Sequence, residues 1–432
     1  MESAMTFVAT GDSFITRNLP HADQKHREIA TLFSQADVCF TNLEVTTHHY
    51  EGIPSAVSGG AWAVASPRVL EDLKKYGINL IAWANNHTLD FSYGGLKATD
   101  KYLNDYGFIH AGVGSNLAEA SRPKYIETRM GRVALISATS TFHETWRAGA
   151  QRPDSIGRPG INPLRFNVIY EVTPSEMEVL KSIADKTSIN ATQHLHARLG
   201  LSTSSDQPFF SFGSYTFKVG NKEGVITTPN NEDMRRITNA ISEAKRQADY
   251  VIVSIHSHEM NGERLEEPAD FIKTFSRNCI DKGANAVIGH GPHILRGIEI
   301  YKNAPIFYSL GNFIFQNDTM ISQPADFYER YGLDDTHNVA DLYDARTQKE
   351  TKGFVTDKKV WSSLFVKWRV KSGKLIRLQL YPIELGFGKP RSQRGWPELS
   401  RSESILQEAQ ALSSPFGTNI HIMSGVGEVE LH

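Results

Sequence analysis

Short polar motifs follow five apolar runs of this 432-residue sequence. Their side chains are carboxylates, amides and imidazoles, which bind divalent cations and exchange protons. In chain order the motifs are Gly11-Asp12-Ser13, Asn42-Leu43-Glu44, Asn85-Asn86-His87 with Asp90, His256-Ser257-His258-Glu259, and Gly289-His290-Gly291-Pro292-His293. This set suits Zn²⁺, Mn²⁺ or Fe²⁺, and a carboxylate can bridge two such cations about 3.5–4 Å apart. The motifs therefore predict a divalent-metal site with hydrolytic chemistry.

The elements around the motifs alternate between strand and helix, which is typical of a layered α/β fold. We predict strands at 5–10, 36–41, 78–84, 250–255 and 286–288, each directly before a motif, and a hairpin of strands at 361–370 and 374–382. Helices are predicted at 67–76, 95–106, 233–247, 268–282 and 402–412. Ligand sites of open α/β sheets lie outside the carboxyl ends of the strands, so the five motifs are expected to converge in one crevice.

The length predicts one large domain with insertions rather than a chain of small domains. Its core is expected at 5–141 and 230–390, and a helix and tail at 400–432. The stretches 142–230 and 316–360 interrupt the pattern, and we interpret them as insertions that shape a substrate opening or a cap. A partly disordered surface excursion is the alternative.

Composition excludes several classes of protein. The 46 basic and 48 acidic residues give a net charge of -2, which argues against a chain built to coat nucleic acid. Two cysteines, Cys39 and Cys279, exclude a disulfide framework and a four-cysteine zinc site. No apolar run approaches the roughly 18–20 residues that span a bilayer, so we expect a cytoplasmic protein without membrane insertion. The oligomeric state is not indicated.

Several motifs resemble the CapA family of capsule and poly-γ-glutamate synthesis proteins, which has a calcineurin-like metallophosphoesterase fold. The resemblance covers about residues 5–141 and 230–320. It is carried by Asn42-Leu43-Glu44, the run from Ala84 to Asp90 with Gly94-Gly95-Leu96, Gly112-Val113-Gly114 with Glu119-Ala120, the run from Ala286 to His293, and Tyr308-Ser309-Leu310-Gly311-Asn312-Phe313.

The resemblance implies a four-layer α/β/β/α sandwich of two mixed sheets, with the site at the strand ends. It also implies that the metal ligands are Asp12, Glu44, Asn86, His256, His290 and His293. The histidine after the bridging asparagine, His87, would act on the leaving group. The sequence departs from the family where the family has His-Trp-Gly and this chain has His256-Ser257-His258, and its first motif lacks an imidazole after Asp12.

These departures leave alternatives open. The cofactor is a divalent cation (Mn, Zn or Fe) or none. The function is a hydrolase acting on a phosphoester or γ-glutamyl amide bond, or a metal-independent epimerase that uses Asp12 with His290 or His293 on a peptide α-carbon, or a non-catalytic component of capsule assembly. Across these alternatives the candidate catalytic residues are Asp12, His87, His290 and His293.

The expected partner is an anionic polymer or peptide substrate. The residues predicted to bind it are Arg17, Asn85, Asp90, His258, Glu259 and Arg296. Arg17 follows Gly11 by six residues and Arg296 follows His293 by three, so both are placed to reach the crevice.

Overall fold

A computed structural model describes residues 4–20, 25–201 and 209–431. The α-helices of this part are α1 (Lys25–Phe33), α2 (Val69–Lys75), α3 (Ser92–Asp105), α4 (Leu117–Ala120), α5 (Pro174–Thr187), α6 (Ala191–Arg198), α7 (Asn231–Ala244), α8 (Asp270–Asp281), α9 (Ala325–Arg330), α10 (Val339–Thr347) and α11 (Ser404–Ser413). The strands are β1 (Met5–Phe14), β2 (Val38–Leu43), β3 (Thr46–Thr47), β4 (Val64–Ala65), β5 (Leu80–Ala82), β6 (Ile109–Ala111), β7 (Val113–Gly114), β8 (Lys124–Thr128), β9 (Gly131–Thr139), β10 (Gly160–Ile161), β11 (Phe166–Val172), β12 (Phe210–Phe212), β13 (Tyr215–Val219), β14 (Gly224–Pro229), β15 (Tyr250–His256), β16 (Met260–Asn261), β17 (Arg264–Pro268), β18 (Ala286–His290), β19 (Ile298–Tyr301), β20 (Ala304–Phe307), β21 (Asn312–Phe315), β22 (Ser362–Lys371), β23 (Lys374–Glu384), β24 (Glu398–Leu399), β25 (Ile420–Met423) and β26 (Val426–Val429).

Two mixed sheets form the centre of the molecule. The first has the order β25-β26-β23-β22-β1-β2-β5-β6, with β21 also paired to β1 and β24 to β23. The second has the order β19-β20-β18-β15-β9-β8. Within each sheet the strands that carry the polar motifs run parallel, β1 with β2 and β5, and β15 with β18. Their carboxyl ends therefore lie at one edge of each sheet.

The two sheets pack face to face because their inward side chains alternate with period two. Phe7 and Phe40 of the first sheet share one buried core with Leu135, Ile252 and Ile288 of the second. This shared core fixes the two sheets against each other.

Helices cover both outer faces. On the first sheet, Val8 and Cys39 share a buried core with residues of α1, α2 and α3. On the second sheet, Ile136 and Val253 pack with α7 and α8. Two packed sheets with helices on both outer faces confirm the predicted four-layer α/β/β/α sandwich.

Several motif residues lie inside strands, where the sequence predicted them after strands. β1 runs to Phe14, and Asp12 pairs with Asn42 of β2 and Asn312 of β21. β15 and β18 likewise include His256 and His290, which pair with each other. The strands extend further than their apolar runs because backbone pairing on both sides continues where the side chains become polar.

Local signals start and connect the elements as expected. The side chain of Asn230 caps α7 by accepting from the backbone of Glu232 and Asp233. The hairpin between β22 and β23 turns at Ser372 and Gly373, both with positive φ (51° and 75°), as a two-residue turn requires.

The described parts of both interrupting stretches contain regular structure. In 142–230, β11 to β14 form a four-stranded sheet that packs on α8, where Phe166 stacks on Phe271 at 4.2 Å between ring centroids. In 316–360, α9 and α10 are followed by short 3₁₀ turns. The tail after 418 pairs as β25 and β26 at the edge of the first sheet. Among the described helices, none is long and apolar enough to cross a bilayer.

Candidate metal centre

The carboxyl ends of β1, β2, β15 and β18 bring two carboxylates and four imidazoles into one buried cluster. The three groups that could each hold a cation are Asp12 with His256 and His290, Glu44 with His256 and His258, and Asp12 with Glu44 and His293. Their ligand atoms lie within 4.8 Å of one another in each group. Residues from 12 to 293 therefore meet at one place, as the sequence predicted.

The two carboxylates have opposite environments. Asp12 accepts hydrogen bonds from Asn42 Nδ2 at 2.7 Å and from the backbone N–H of Gly291 at 2.9 Å. Burial acts to raise the pKa of Asp12, but its interaction with His290 at 3.5 Å, helped by His293 and Asn42, holds the pKa below its usual value. Asp12 is thus stabilised as the anion.

Glu44 is fully buried, and neither of its carboxylate oxygens has a hydrogen-bond partner within the described structure. Burial, followed by the charges of Asp12 and Asp90, raises the pKa of Glu44 well above its usual value. A buried carboxylate without donors is costly. His256 Nε2 lies 3.7 Å and His293 Nε2 3.8 Å from its Oε1.

The imidazoles lie close to one another. Nδ1 of His256 is 3.0 Å from Nδ1 of His290, and Nε2 of His256 is 3.0 Å from Nε2 of His258. Burial is the largest cause that lowers the pKa of His256, and it lowers the pKa of His258 to about 3. The rings of His256 and His258 are therefore neutral near pH 7, the form in which imidazole binds a cation.

The spacing fits a divalent cation. Two ligand atoms about 2.1 Å from a tetrahedral cation are separated by about 3.4 Å. Four carboxylate-to-imidazole distances of 3.5–3.8 Å are close to that value and too long for hydrogen bonds: Asp12 Oδ1 to His290 Nδ1 and His256 Nδ1, and Glu44 Oε1 to His256 Nε2 and His293 Nε2. A neutral imidazole offers one lone pair, so His256 can serve either the Asp12 group or the Glu44 group, but not both.

His290 and His293, which the sequence could not separate, both approach Asp12 but from different sides. His290 is fully buried, and its Nε2 lies 2.7 Å from Ser254 Oγ, which leaves Nδ1 facing Asp12 at 3.5 Å. His293 adopts a positive φ of 61°, and its Nδ1 lies 2.9 Å from Asn312 Oδ1. Its Nε2 is then available near Glu44, so the two histidines belong to different ligand groups.

Asn86 and His87 complete the site. Asn86 donates from Nδ2 to Gly59 O at 3.2 Å, while its Oδ1 is buried without a partner in the described structure. His87 Nδ1 lies 2.6 Å from Asp90 Oδ2, and Asp90 also accepts from the backbone of Gly59 and Ala63. This bond orients the His87 ring and leaves Nε2 for the cavity that His87 lines.

A cavity of about 220 Å³ lies over the cluster. Its lining includes four predicted residues: Asn86, His87, His258 and His293. The sequence analysis missed the others, which are Phe14, Gly59, Gly60, Ala61, Phe315, Asn317, Arg346 and Phe354. Phe14 directly follows the motif Gly11-Asp12-Ser13, a signal that could have identified it, whereas Arg346 and Phe354 belong to the stretch 316–360.

Four predicted substrate-binding residues lie behind the site. The guanidinium of Arg17 donates to the backbone carbonyls of Ser392 and Arg394. Arg296 is 1% exposed and donates to the carbonyls of Leu265, Ser257 and His258. Asn85 donates to Asn42 and Leu43, and Glu259 accepts from Ser140, Thr141 and Ser257. Arg296, Asn85 and Glu259 thus hold loops that carry the cluster, whereas Arg17 holds the segment at 392–394. Of the predicted set, His258 belongs to the cluster and Asp90 bonds to His87.

The four-layer sandwich carries its cluster of carboxylates and histidines at the carboxyl ends of parallel strands. The sequence profile described as "Bacterial capsule synthesis protein PGA_cap" matches residues 6–317, and the chain belongs to this family. The match confirms the resemblance to CapA.

The relatives include proteins of similar length and longer ones. The chain is 37% identical to the uncharacterized protein y4sH of Sinorhizobium fredii, over 99% of this chain and 93% of that protein. It is 23% identical to the capsule biosynthesis protein CapA of Bacillus anthracis, over 58% of this chain and 43% of that protein. It is 25% identical to a "Probable polyglutamine synthesis accessory protein" of Mycobacterium tuberculosis, over 64% and 55%. A hypothetical protein from Thermus thermophilus has a similar structure, with a TM-score of 0.41 and 10% identity over 88% of this chain and 99% of that one.

Proposed function

We propose that this chain is a metal-dependent hydrolase that cleaves a phosphoester or γ-glutamyl amide bond in the metabolism of an anionic polymer or peptide. The observation that supports this most is Glu44, whose two buried oxygens have no hydrogen-bond partner among the described residues and face the imidazoles of His256 and His293 at 3.7 and 3.8 Å. A divalent cation between these groups would supply the partner that the carboxylate lacks.

The residues divide the chemistry between them. Asp12, Glu44, Asn86 and the histidines would hold Mn²⁺, Zn²⁺ or Fe²⁺, and such a cation would polarise the scissile bond and lower the pKa of water. His87, oriented by its 2.6 Å bond to Asp90, would donate a proton from Nε2 to the leaving group. The rings of Phe14 and Phe315 would exclude bulk water from the cavity.

The substrate class follows from the family. The relatives that carry a functional name are named for capsule biosynthesis or for polyglutamine synthesis, and transfer of that context to this chain is part of the proposal. A polymer of glutamate offers amide bonds flanked by carboxylates, which suits a site that contains both a cation cluster and Arg346.

The test combines metal analysis with turnover. Protein purified without chelator should contain Mn, Zn or Fe in stoichiometric amounts and should hydrolyse bis(p-nitrophenyl) phosphate or oligo-γ-glutamate. Asp12→Asn and His256→Ala should lose metal and turnover together. His196→Ala, which removes an exposed histidine of α6, is the matched control and should change neither. Turnover that is unchanged in Asp12→Asn and His256→Ala would refute the proposal.

The leaving-group role of His87 has its own test. His87→Asn should lower kcat on an alkyl phosphodiester or an amide by about 10²–10⁴, because these leaving groups require a proton. The loss should be much smaller with a p-nitrophenyl leaving group, which departs as the anion, and the metal content should not change. Equal losses on both substrates would remove His87 from this role.

The same assays distinguish the other two functions. Deuterium that enters an α-carbon of a peptide from solvent, without hydrolysis or metal, would favour epimerisation by Asp12 with His290 or His293. Polymer binding without any turnover would favour an assembly role.

A further inference from the structure

A second cavity adjoins the one over the metal centre. It measures about 280 Å³ and is lined in part by Tyr331, Tyr343 and Lys352. Asn317, Arg346 and Phe354 line both cavities, so the two spaces meet at these three side chains. A ligand that enters the metal centre from this side must pass the guanidinium of Arg346.

Arg346 differs from the other arginines nearby in having no polar partner. Arg394 is ion-paired with Asp318 and Glu350, and Arg391 lies 2.9 Å from Asp344. The guanidinium of Arg346, by contrast, forms no hydrogen bond or ion pair with any residue that the structure describes. Its described contact is with the face of Phe327, 5.5 Å from the ring centroid. The donors of its planar fork are therefore free to bind an oxyanion.

The position of Arg346 relative to the metal centre is held by the segment around it. α10, which carries Arg346, is tied to the 386–396 loop through Asp344 and Arg391. Phe354, further along the same segment, packs edge-on against His293 at 5.3 Å between ring centroids. Burial is the main cause that lowers the pKa of His293, and the positive charge of Arg346 acts in the same direction, which is consistent with their proximity.

We propose that Arg346 binds an anionic group, a carboxylate or a phosphate, on the substrate unit next to the scissile bond, so that the substrate extends through both cavities. The inference rests on the proposed function in taking the smaller cavity as the place of bond cleavage. It selects substrates with a repeated negative charge over substrates with a single reacting group.

The experiment measures binding separately from turnover. Isothermal titration of the full chain with tri-γ-glutamate and with tripolyphosphate is done in phenanthroline, a neutral chelator that prevents turnover without competing for Arg346. Arg346→Gln should raise Kd for one of the two probes about tenfold or more, and Arg346→Lys should restore part of the affinity. Which probe responds identifies the carboxylate or the phosphate as the ligand.

Arg330→Gln is the matched control, because Arg330 lies over the same Phe327 ring at 5.4 Å but does not line either cavity. Its Kd should stay within about twofold of wild type. The proposal is overturned if wild-type protein binds neither probe, or if Arg346→Gln binds both as wild type does. If Arg346→Gln turns substrate over with an unchanged KM, Arg346 does not bind the substrate, and the proposed hydrolase is unaffected. If Arg346→Gln loses probe binding and wild type shows no turnover, Arg346 binds the anion but the protein is not a hydrolase.

Discussion

Glu44 has the least favourable environment of the residues in the cluster. Its side chain is buried, its pKa is raised first by that burial, and Asp12 and Asp90 add repulsion. Asp12 avoids this cost because Asn42 and the backbone of Gly291 donate to it. The difference suggests that Glu44 is kept for a cation and not for the stability of the chain.

The different environments of Glu44 and Asp12 predict that metal reverses which protein, wild type or Glu44→Gln, is the more stable. Without metal, Glu44→Gln should be more stable than wild type by about 1–3 kcal/mol, since the variant buries no charge. With Mn²⁺ or Zn²⁺ at about 1,000 times Kd, wild type should gain about 4.1 kcal/mol and become the more stable protein. Urea unfolding with phenanthroline and with metal measures both values.

Glu299→Gln is the control for this prediction. Glu299 is also buried, but it accepts from Arg277 Nε at 2.9 Å and Tyr308 Oη at 2.7 Å. Its substitution should lower the free energy of unfolding in both conditions. A Glu44→Gln protein that is less stable than wild type without metal would contradict the account of Glu44.

At the scale of elements, the site depends on close contacts between strand ends and loops. A Cβ at Gly11 would lie 1.8 Å from the carbonyl oxygen of Gly311, so glycine is required where β1 passes this segment. The adjacent backbone bond, from Asp12 N to Gly311 O at 3.0 Å, places Asp12 at the cluster. The loop after β15 is held instead by hydrogen bonds from Arg296 to its backbone carbonyls.

Arg296→Met should therefore weaken both stability and metal binding. The guanidinium donates to three backbone carbonyls, and its loss leaves them without those donors in a buried region, which should cost about 2–4 kcal/mol. His258 is one of these three residues, so the metal Kd should rise as its loop loosens. Arg369→Met, which changes an exposed arginine of β22, should alter neither. A loss of stability with an unchanged metal Kd would mean that Arg296 supports the fold and not the ligand.

At the scale of the whole molecule, the segments 142–230 and 316–360 have different relations to the site. The segment 316–360 contributes Asn317, Arg346 and Phe354 to the cavity. Among the described residues of 142–230, none lines it. The four-stranded sheet of segment 142–230 packs on α8, which covers the outer face of the second central sheet.

Removal of most of the 142–230 insertion should leave the site intact. Glu171 of β11 pairs with Gly224 of β14 in antiparallel register, so the ends of these strands lie side by side. Replacement of residues 173–222 by Asn-Gly would close them with a two-residue turn. The shortened protein should fold, bind metal with the same stoichiometry and keep its kcat, as circular dichroism, metal analysis and turnover would measure. A folded product that has lost the metal would contradict this division.

Much of the fold was predictable from local patterns. Short apolar runs, glycine and proline at helix ends and the Ser372-Gly373 turn identified the strands, helices and hairpin of the core. The stretch 142–230 was not predicted as a sheet because β11 to β14 are short and only half buried, so no long apolar run marks them. Arg346 was not predicted as a site residue because its helix, α10, has little amphipathic character.

The sequence alone determined the class of fold and the set of residues that could bind a cation, because strand periodicity and ligand chemistry are both local properties of the chain. Only the tertiary structure decided which of those side chains meet. Packing of the two sheets sets the distance between Asp12 and Glu44 on one side and the imidazoles on the other, places His290 and His293 in different groups, and turns Arg17 and Arg296 toward backbone carbonyls. These are relations between residues up to 377 positions apart, and no local pattern encodes them.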